Sequence, residues 1–206
     1  MKLIVGLGNP GEKHLHNRHN LGFSVLEHLA RKIEAGSVKW GENKKFKAEI
    51  LKTKLKEEEV ILVKPLTFMN NSGWPVKKIV DWYHIEPAEI WVVHDDLDLK
   101  PGQIKIRYGG GTAGHHGLES IIEHLGTSDF VRFRLGIGKP LKSVKGEERR
   151  AKKAKGDHQE IERYVLESFT GKERVEAEKM IKKAVEALEL AFKKDIESAM
   201  NKFNLK

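Results

Sequence analysis

The chain has 206 residues, 39% of them hydrophobic and 33% charged, with a net charge of +8 and no cysteine. That length suits one α/β domain with a C-terminal extension, and the missing cysteines exclude disulfides, thiolate metal sites and a cysteine nucleophile together. The apolar runs fall far short of the ~18 residues of a membrane span, and Asn9, Pro10 and Gly11 interrupt the N-terminal run too early for a signal peptide, so a cytoplasmic protein is expected.

Lys2 to Gly6 is a short apolar run ended by glycine, the pattern of a buried strand. Leu21, Val25, Leu29 and Ile33 recur every four residues and predict an amphipathic helix closed by Gly36. Phe46, Ala48 and Ile50 alternate over roughly 46–54, and Val60 to Val63 forms a second buried strand stopped by Pro65; the pair is close enough for a hairpin. Ser72 is a candidate cap for a helix burying Val76, Ile79, Val80 and Tyr83. Ile90 to Val93 reads as a central strand, Ile104 and Ile106 as a shorter one, and Leu118, Ile121, Ile122 and Leu125 as a helix. Val131, Phe133, Leu135 and Ile137 alternate with Arg132 and Arg134, the pattern of another strand, with Arg134 facing out of the core. Lys172 to Phe192 is one long helix. Strands interleaved with helices predict an α/β fold: a single domain over 1–206 with a twisted mixed β-sheet flanked by helices, and a C-terminal helical segment over 172–204.

The positive charge is concentrated. Lys139 to Lys155 holds eight basic residues against two acids, six of the eight net charges of the chain. Such a segment repels itself, so 139–158 is expected to be a mobile basic loop, and it makes nucleic acid a candidate partner. A solvated lysine-rich surface is the plainer alternative.

Gly6-Leu7-Gly8-Asn9-Pro10-Gly11 spells G-x-G-x-x-G after a strand, the dinucleotide fingerprint. That fingerprint requires a helix beginning inside the motif and an acid at the end of the second strand. Here Pro10-Gly11 is a turn, the next helix starts near Asn20, and Lys52-Thr53-Lys54 stands in the acid's place. The glycines instead let a loop carrying Asn9 turn sharply.

Four loops carry polar groups that packing does not require: Asn9 with Asn17-Arg18-His19-Asn20; Thr67-Phe68-Met69-Asn70-Asn71-Ser72; His94-Asp95-Asp96-Leu97-Asp98; and the glycine run through His115 and His116. In open α/β sheets ligands sit beyond the carboxyl ends of the strands, where three of these loops can converge. A histidine can take a proton from water while a carboxylate fixes its tautomer, and His19 with Asp95 would form that pair. Asparagine amides can hold a carbonyl and its oxyanion. No serine stands in a G-x-S-x-G elbow. Asn17 or Asn20 as a helix cap, His14, His16 and His28 as surface residues and Asp98 as a turn residue are the plainer alternatives. His94, Asp95, Asp96 and Asp98, or His115 and His116, lack the spacing of a metal motif.

G-L-G-N-P-G, R-H-N, T-F-M-N-x-S-G, H-D-D-L-D and G-G-G-x-x-G-H stand in the order and spacing of bacterial-type peptidyl-tRNA hydrolase, which the chain resembles closely over roughly residues 1–140 and more loosely from Tyr164 onward. The resemblance implies a monomeric, phosphorylase/hydrolase-like α/β fold with a C-terminal helical lid. It also implies hydrolysis of the ester joining a peptide to the 3′ end of tRNA, with no metal or organic cofactor and no membrane. Carried over by position, His19 is the water-activating base and Asp95 its orienting partner; Asn9, Met69, Asn70, His115 and His116 bind substrate; His14, Arg107 and Arg134 bind tRNA. The chain departs from the family where His14 replaces tyrosine, Asn17 replaces threonine and His116 replaces asparagine. A non-catalytic RNA-binding relative of the same fold is the alternative.

Overall fold

The computed structural model describes residues 1–35, 38–140 and 153–204, with side chains outside 153–158. In chain order its elements are β1 (Lys2–Gly6), α1 (Leu21–Ile33), β2 (Gly41–Asn43), β3 (Ala48–Leu55), β4 (Glu58–Pro65), α2 (Gly73–Tyr83), β5 (Ile90–Asp96), β6 (Ile104–Tyr108), α3 (His116–Leu125), β7 (Val131–Gly136), α4 (Lys153–Leu166), α5 (Gly171–Lys193) and α6 (Ile196–Phe203). The strands form one seven-stranded sheet in the order β2-β3-β4-β1-β5-β7-β6. β4, β1, β5 and β7 run parallel in the centre, while β2, β3 and β6 are antiparallel at the two edges. The expected mixed sheet and the 46–63 hairpin are both present.

β1, β4 and β5 are buried on both faces, so each carries a continuous apolar run, whereas β7 alternates with Arg132 and Arg134. The period of two divides each run between two cores. Leu3, Val5, Ile61, Val63, Ile90 and Val92 pack toward α2 and α3. Ile4, Val60, Leu62, Trp91, Val93 and Phe133 face the layer holding α1, α5 and α6. The β1–α1 crossing is close because both residues at it are glycine. A Cβ on Gly6 would lie 2.5 Å from the Gly22 carbonyl oxygen, and one on Gly22 would collide with the Leu7 backbone. That approach seats the start of α1, and the turn before it, over the strand ends.

Several expectations need correction. Ser72 has helical dihedrals and makes no capping hydrogen bond; its hydroxyl is buried. Arg132, for which no placement was expected, is in the core, 1% exposed, with its guanidinium donating to the Gly111 and Gly110 carbonyls at 2.7 and 2.6 Å. Gly36 and residues 141–152 of the basic segment lie outside the described residues, and from Lys153 the segment expected to be a loop is the helix α4. The C-terminal segment is two helices: α5 begins with a Thr170–Glu173 capping box, and Asp195 caps α6 through the Ser198 N–H at 2.6 Å.

Candidate active site

His19 lies in the tight 3-10 turn Arg18–Asn20 that leads into α1. Its Nδ1 is 2.9 Å from Oδ1 of Asp95, near the carboxyl end of β5, and 3.0 Å from Oδ2. A carboxylate only accepts, so Nδ1 carries the proton and Nε2 keeps its lone pair. Burial alone would lower the His19 pKa, but the charge of Asp95 and its hydrogen bond outweigh burial and raise it. Burial would likewise raise Asp95; the charges of His19 and His115 and the hydrogen bonds from both rings hold it well below the usual carboxylate range instead.

His115 approaches Asp95 from α3, which it caps. Its Nδ1 accepts from the Gly117 and Leu118 N–H groups at 3.1 and 3.4 Å, so the proton is on Nε2 and is donated to Asp95 Oδ1 at 3.1 Å. The helix N-terminus therefore sets the tautomer of one ring and Asp95 that of the other. Beneath them His94 is fully buried, its Nδ1 2.7 Å from the Asp95 carbonyl and its ring centroid 4.9 Å from that of His115. Burial, then the charge of His115, pushes His94 down to about 3, so it is a neutral packing partner. The sequence spacing argued against a metal ligand at His94 but gave no sign of its buried packing role.

The ligand atoms of His19, Asp95 and His115 lie within 4.8 Å of one another. The set does not suit a metal ion. Coordination through His115 Nε2 would move the ring proton to Nδ1, against the two backbone N–H groups that donate there.

Asn9 is held on three sides. Asn20 Oδ1 accepts from its backbone N–H at 3.0 Å, Asn20 Nδ2 donates to its carbonyl at 2.9 Å, and its own Oδ1 accepts from the Met69 N–H at 2.8 Å. The last bond fixes the amide orientation and leaves Nδ2 to the cavity that Asn9 lines. Asn20 is thus a clamp on Asn9 rather than the helix cap its position suggested, and makes no capping bond. Met69 is buried and Asn70 exposed on the same loop.

Two cavities flank His19. One, of about 550 Å³, is lined by Asn9, His14, Phe68, Met69 and Asn70; the other, of about 230 Å³, by Asp95, Asp96, Leu97, Thr112 and His115. His116 and, from α4, Glu162 and Val165 border both. The cover is therefore α4, while α5 packs against α1. Arg18, beside His19, anchors that cover: it donates to the Tyr164 and Glu167 carbonyls at 3.2 and 3.3 Å and to both Glu173 oxygens at 3.1 and 2.9 Å. His116 is at the rim, more than half exposed, 3.0 Å from Glu119 Oε2. His14 Nδ1 is 2.9 Å from Asn17 Nδ2.

Toward the β6 edge, Arg107 pairs in register with Arg132 and Lys105 with Arg134, so four cations share one face of two strands. Arg134 Nε donates to Asp96 Oδ2 at 2.7 Å, so it is partly committed to a carboxylate rather than standing free. Arg132 falls to about 10 through burial and the charges of Arg107 and Arg134.

A carboxylate-oriented imidazole with a free Nε2, a fixed amide beside it and a covered groove at the carboxyl ends of a parallel sheet form an arrangement that can activate water, the kind of site a hydrolase uses. The comparisons agree with that class and narrow it. The chain belongs to the peptidyl-tRNA hydrolase family, whose model matches residues 3–206. It is 41% identical to a peptidyl-tRNA hydrolase of Syntrophomonas wolfei over 99% of this chain and the whole of that one. It is 38% identical to that of Bacillus subtilis over the full length of both. The crystal structure of peptidyl-tRNA hydrolase from Acinetobacter baumannii superposes with a TM-score of 0.86 at 33% identity, covering 99% of this chain and 94% of that one.

Proposed function

We propose that His19 is the base with which this chain hydrolyses the ester between a peptide and the 3′ end of tRNA. The observation that carries it is the His19–Asp95 contact at 2.9 Å, which leaves Nε2 as the acceptor beside two cavities. In this mechanism Nε2 takes a proton from a water as its oxygen bonds to the ester carbonyl carbon. Asp95 stabilises the imidazolium that forms. The Asn9 and Asn70 amides donate to the carbonyl oxygen as it becomes an oxyanion. The intermediate collapses by breaking the bond to the ribose oxygen, which receives the proton back from His19. Free peptide and intact tRNA leave.

Met69 walls the groove and His116 stands at its rim. Arg107 and Arg134 hold the phosphates near the tRNA 5′ end, with His14 at the other cavity. The β6–β7 cluster supports this, since like charges packed side by side are relieved by a polyanion, and phosphate contacts serve many sequences alike. No described helix is long and apolar enough to cross a membrane, and we place the protein in the cytoplasm as a monomer. The test is turnover of a labelled N-acetyl-aminoacyl-tRNA in EDTA by the native enzyme and His19→Ala. Turnover with intact tRNA that falls by at least ~10²-fold in the variant supports the assignment. No turnover by the native enzyme, with tight tRNA binding, would make it a non-catalytic RNA-binding relative.

A further inference from the structure

The strand order works as a ruler along the active-site edge. His19 and Asp95 sit over β1 and β5; the arginine cluster lies on β7 and β6 to one side, and β4, β3 and β2 lie to the other. If the proposed function holds, the ester is at His19 and the tRNA body is over the arginines. The part of the substrate beyond the ester then runs toward β4 and β3, and that part is peptide.

What it meets there is an uncommon surface. The loop carrying Phe68, Met69 and Asn70 continues through Ser72 and Gly73 to Trp74 in the first turn of α2. Lys47 and Lys78 place their ammonium groups 5.3 and 5.7 Å from the Trp74 ring centroid. Lys45 lies 3.4 Å from the Trp82 ring and Lys52 4.6 Å from Tyr83. Trp82 is 57% exposed. Among the described residues none of these four lysines is in an ion pair, whereas Lys77 next to them is neutralised by Asp81 and Lys64 by Glu27 and Glu49. The face is also tied to the groove: the Leu66 N–H, where the Met69 loop begins, donates to the Lys47 carbonyl at 2.8 Å.

We propose that this lysine–tryptophan face is a subsite for the peptide portion of the substrate and favours acidic side chains there. The attraction is Coulombic, chiefly from the ammonium groups of Lys47 and Lys78 beside the groove, which have no ion-pair partner among the described residues, and the Trp74 ring they rest on gives the incoming chain apolar area. From β1 to β3 is two strand spacings, about 10 Å, and Lys47 adjoins Ala48, which pairs with Pro65 at the carboxyl end of β4. An extended peptide covers that distance in about three residues, whereas Lys52, level with Ile61 and Leu3, lies farther from the ester. The face is therefore reached from about the third residue before the ester. A chain blocked after one residue does not reach it. RNA is the less suitable occupant because the one ester that joins the two halves sits between this face and the arginine cluster.

The experiment compares three substrates on one tRNA: N-acetyl-aminoacyl-tRNA, a tetrapeptidyl-tRNA with acidic residues distal to the ester, and its lysine counterpart. The native enzyme should favour the acidic over the basic tetrapeptide by about fivefold to tenfold in kcat/KM at low salt, through KM. Lys47→Glu/Lys78→Glu should reverse that preference, and Trp74→Ala should weaken it, while N-acetyl-aminoacyl-tRNA is unchanged within about twofold. No charge preference in the native enzyme, or a preference unmoved by charge reversal, overturns the subsite. An equal loss on all three substrates also overturns it and makes the face an RNA contact. Failure of the native enzyme on the one-residue substrate is a different result: it removes the hydrolase function first and the subsite with it.

Discussion

The Nε2 of His115 lies 3.1 Å from Asp95 Oδ1, the same oxygen that His19 Nδ1 meets at 2.9 Å. One carboxylate thus serves two rings whose other nitrogens do different work: that of His19 is left free, and that of His115 accepts the first N–H groups of α3. His115 lines the smaller cavity and also contacts Asp95, and we propose that it positions that carboxylate. His115→Ala removes a donor from Asp95, strengthening its pull on the His19 proton. The acid limb of the kcat/KM profile should then move to higher pH. It also removes the helix cap, costing about 1 kcal/mol. His115→Asn keeps a capping oxygen, so it should restore most of the stability and leave the limb shifted. A limb that does not move in either variant would remove His115 from the positioning role.

The same geometry predicts a pH dependence for the proposed reaction. Only neutral His19 accepts a proton, and Asp95 holds its pKa above 6.5, so activity should fall as pH drops through that raised value. Asp95→Asn presents an amide that no longer selects the productive tautomer, and kcat should drop by about 10²–10⁴-fold. The acid limb of the residual activity should move down, since the charge that raised it is gone. Rate measurements from pH 5 to pH 9 on both proteins test this, and an upward shift in the variant would contradict it.

His94 predicts a stability effect rather than a catalytic one. Its folded pKa is depressed to about 3 from 6.5, because its buried ring cannot be charged cheaply. The unfolded chain therefore binds more protons than the folded one between those values. The associated stability is complete above about pH 6.5 and is lost as pH falls toward 3, at about 1.4 kcal/mol per pH unit inside the window. His94→Gln, which keeps a donor toward the Asp95 carbonyl, should flatten the dependence of denaturant midpoint on pH between 6 and 4. An unchanged slope would place the acid sensitivity elsewhere.

The strands other than β2, which is short and mostly exposed, and the long helices α1 and α5 were legible because burial on both faces, or on one helical stripe, leaves a period in the sequence. The same rule does not account for Arg132. Alternation alone would put it on a wet face, yet β7 is covered on that face too, and its guanidinium escapes only by reaching the Gly110 and Gly111 carbonyls. α4 was hidden because its apolar contacts are few, Ile161, Tyr164 and Val165, and it follows the run of charges that signals a loop. His19 and Asp95 could be paired from their chemistry. The Asn20 clamp on Asn9, the capping role of His115 and the buried His94 depend on contacts between chain segments far apart, which no local pattern records.

At the β6–β7 edge, Arg107 is exposed, whereas Arg134 spends one N–H on Asp96. Arg107→Gln should weaken tRNA affinity about equally for different tRNAs and reduce the slope of log K against log salt by about 0.7–0.9. kcat at saturating substrate should hold. Affinity titrations at several salt concentrations decide it, and an unchanged slope would mean that Arg107 meets no phosphate.

The last prediction concerns the cover. Arg18 is 4% exposed and is neutralised by Glu173 at 2.9 and 3.1 Å, with its guanidinium carbon 4.2 Å from the Tyr164 ring centroid. Glu173→Gln keeps the partner needed by the Thr170 capping box but removes the charge opposite Arg18. Because Glu173 is half-exposed and water screens it, the loss should be about 1–2 kcal/mol rather than the larger cost of stranding a fully buried ion. Arg18 also carries the backbone N–H that donates to the Glu167 carbonyl at 3.0 Å, so the α4–α5 corner and the His19 turn are joined at this residue. Loosening the corner lets Glu162 and Val165 move off the two cavities while Asp95 still holds His19. KM should therefore rise several-fold, with kcat and the acid limb little changed. A fall in kcat with constant KM would show instead that Arg18 acts through His19 and not through the cover.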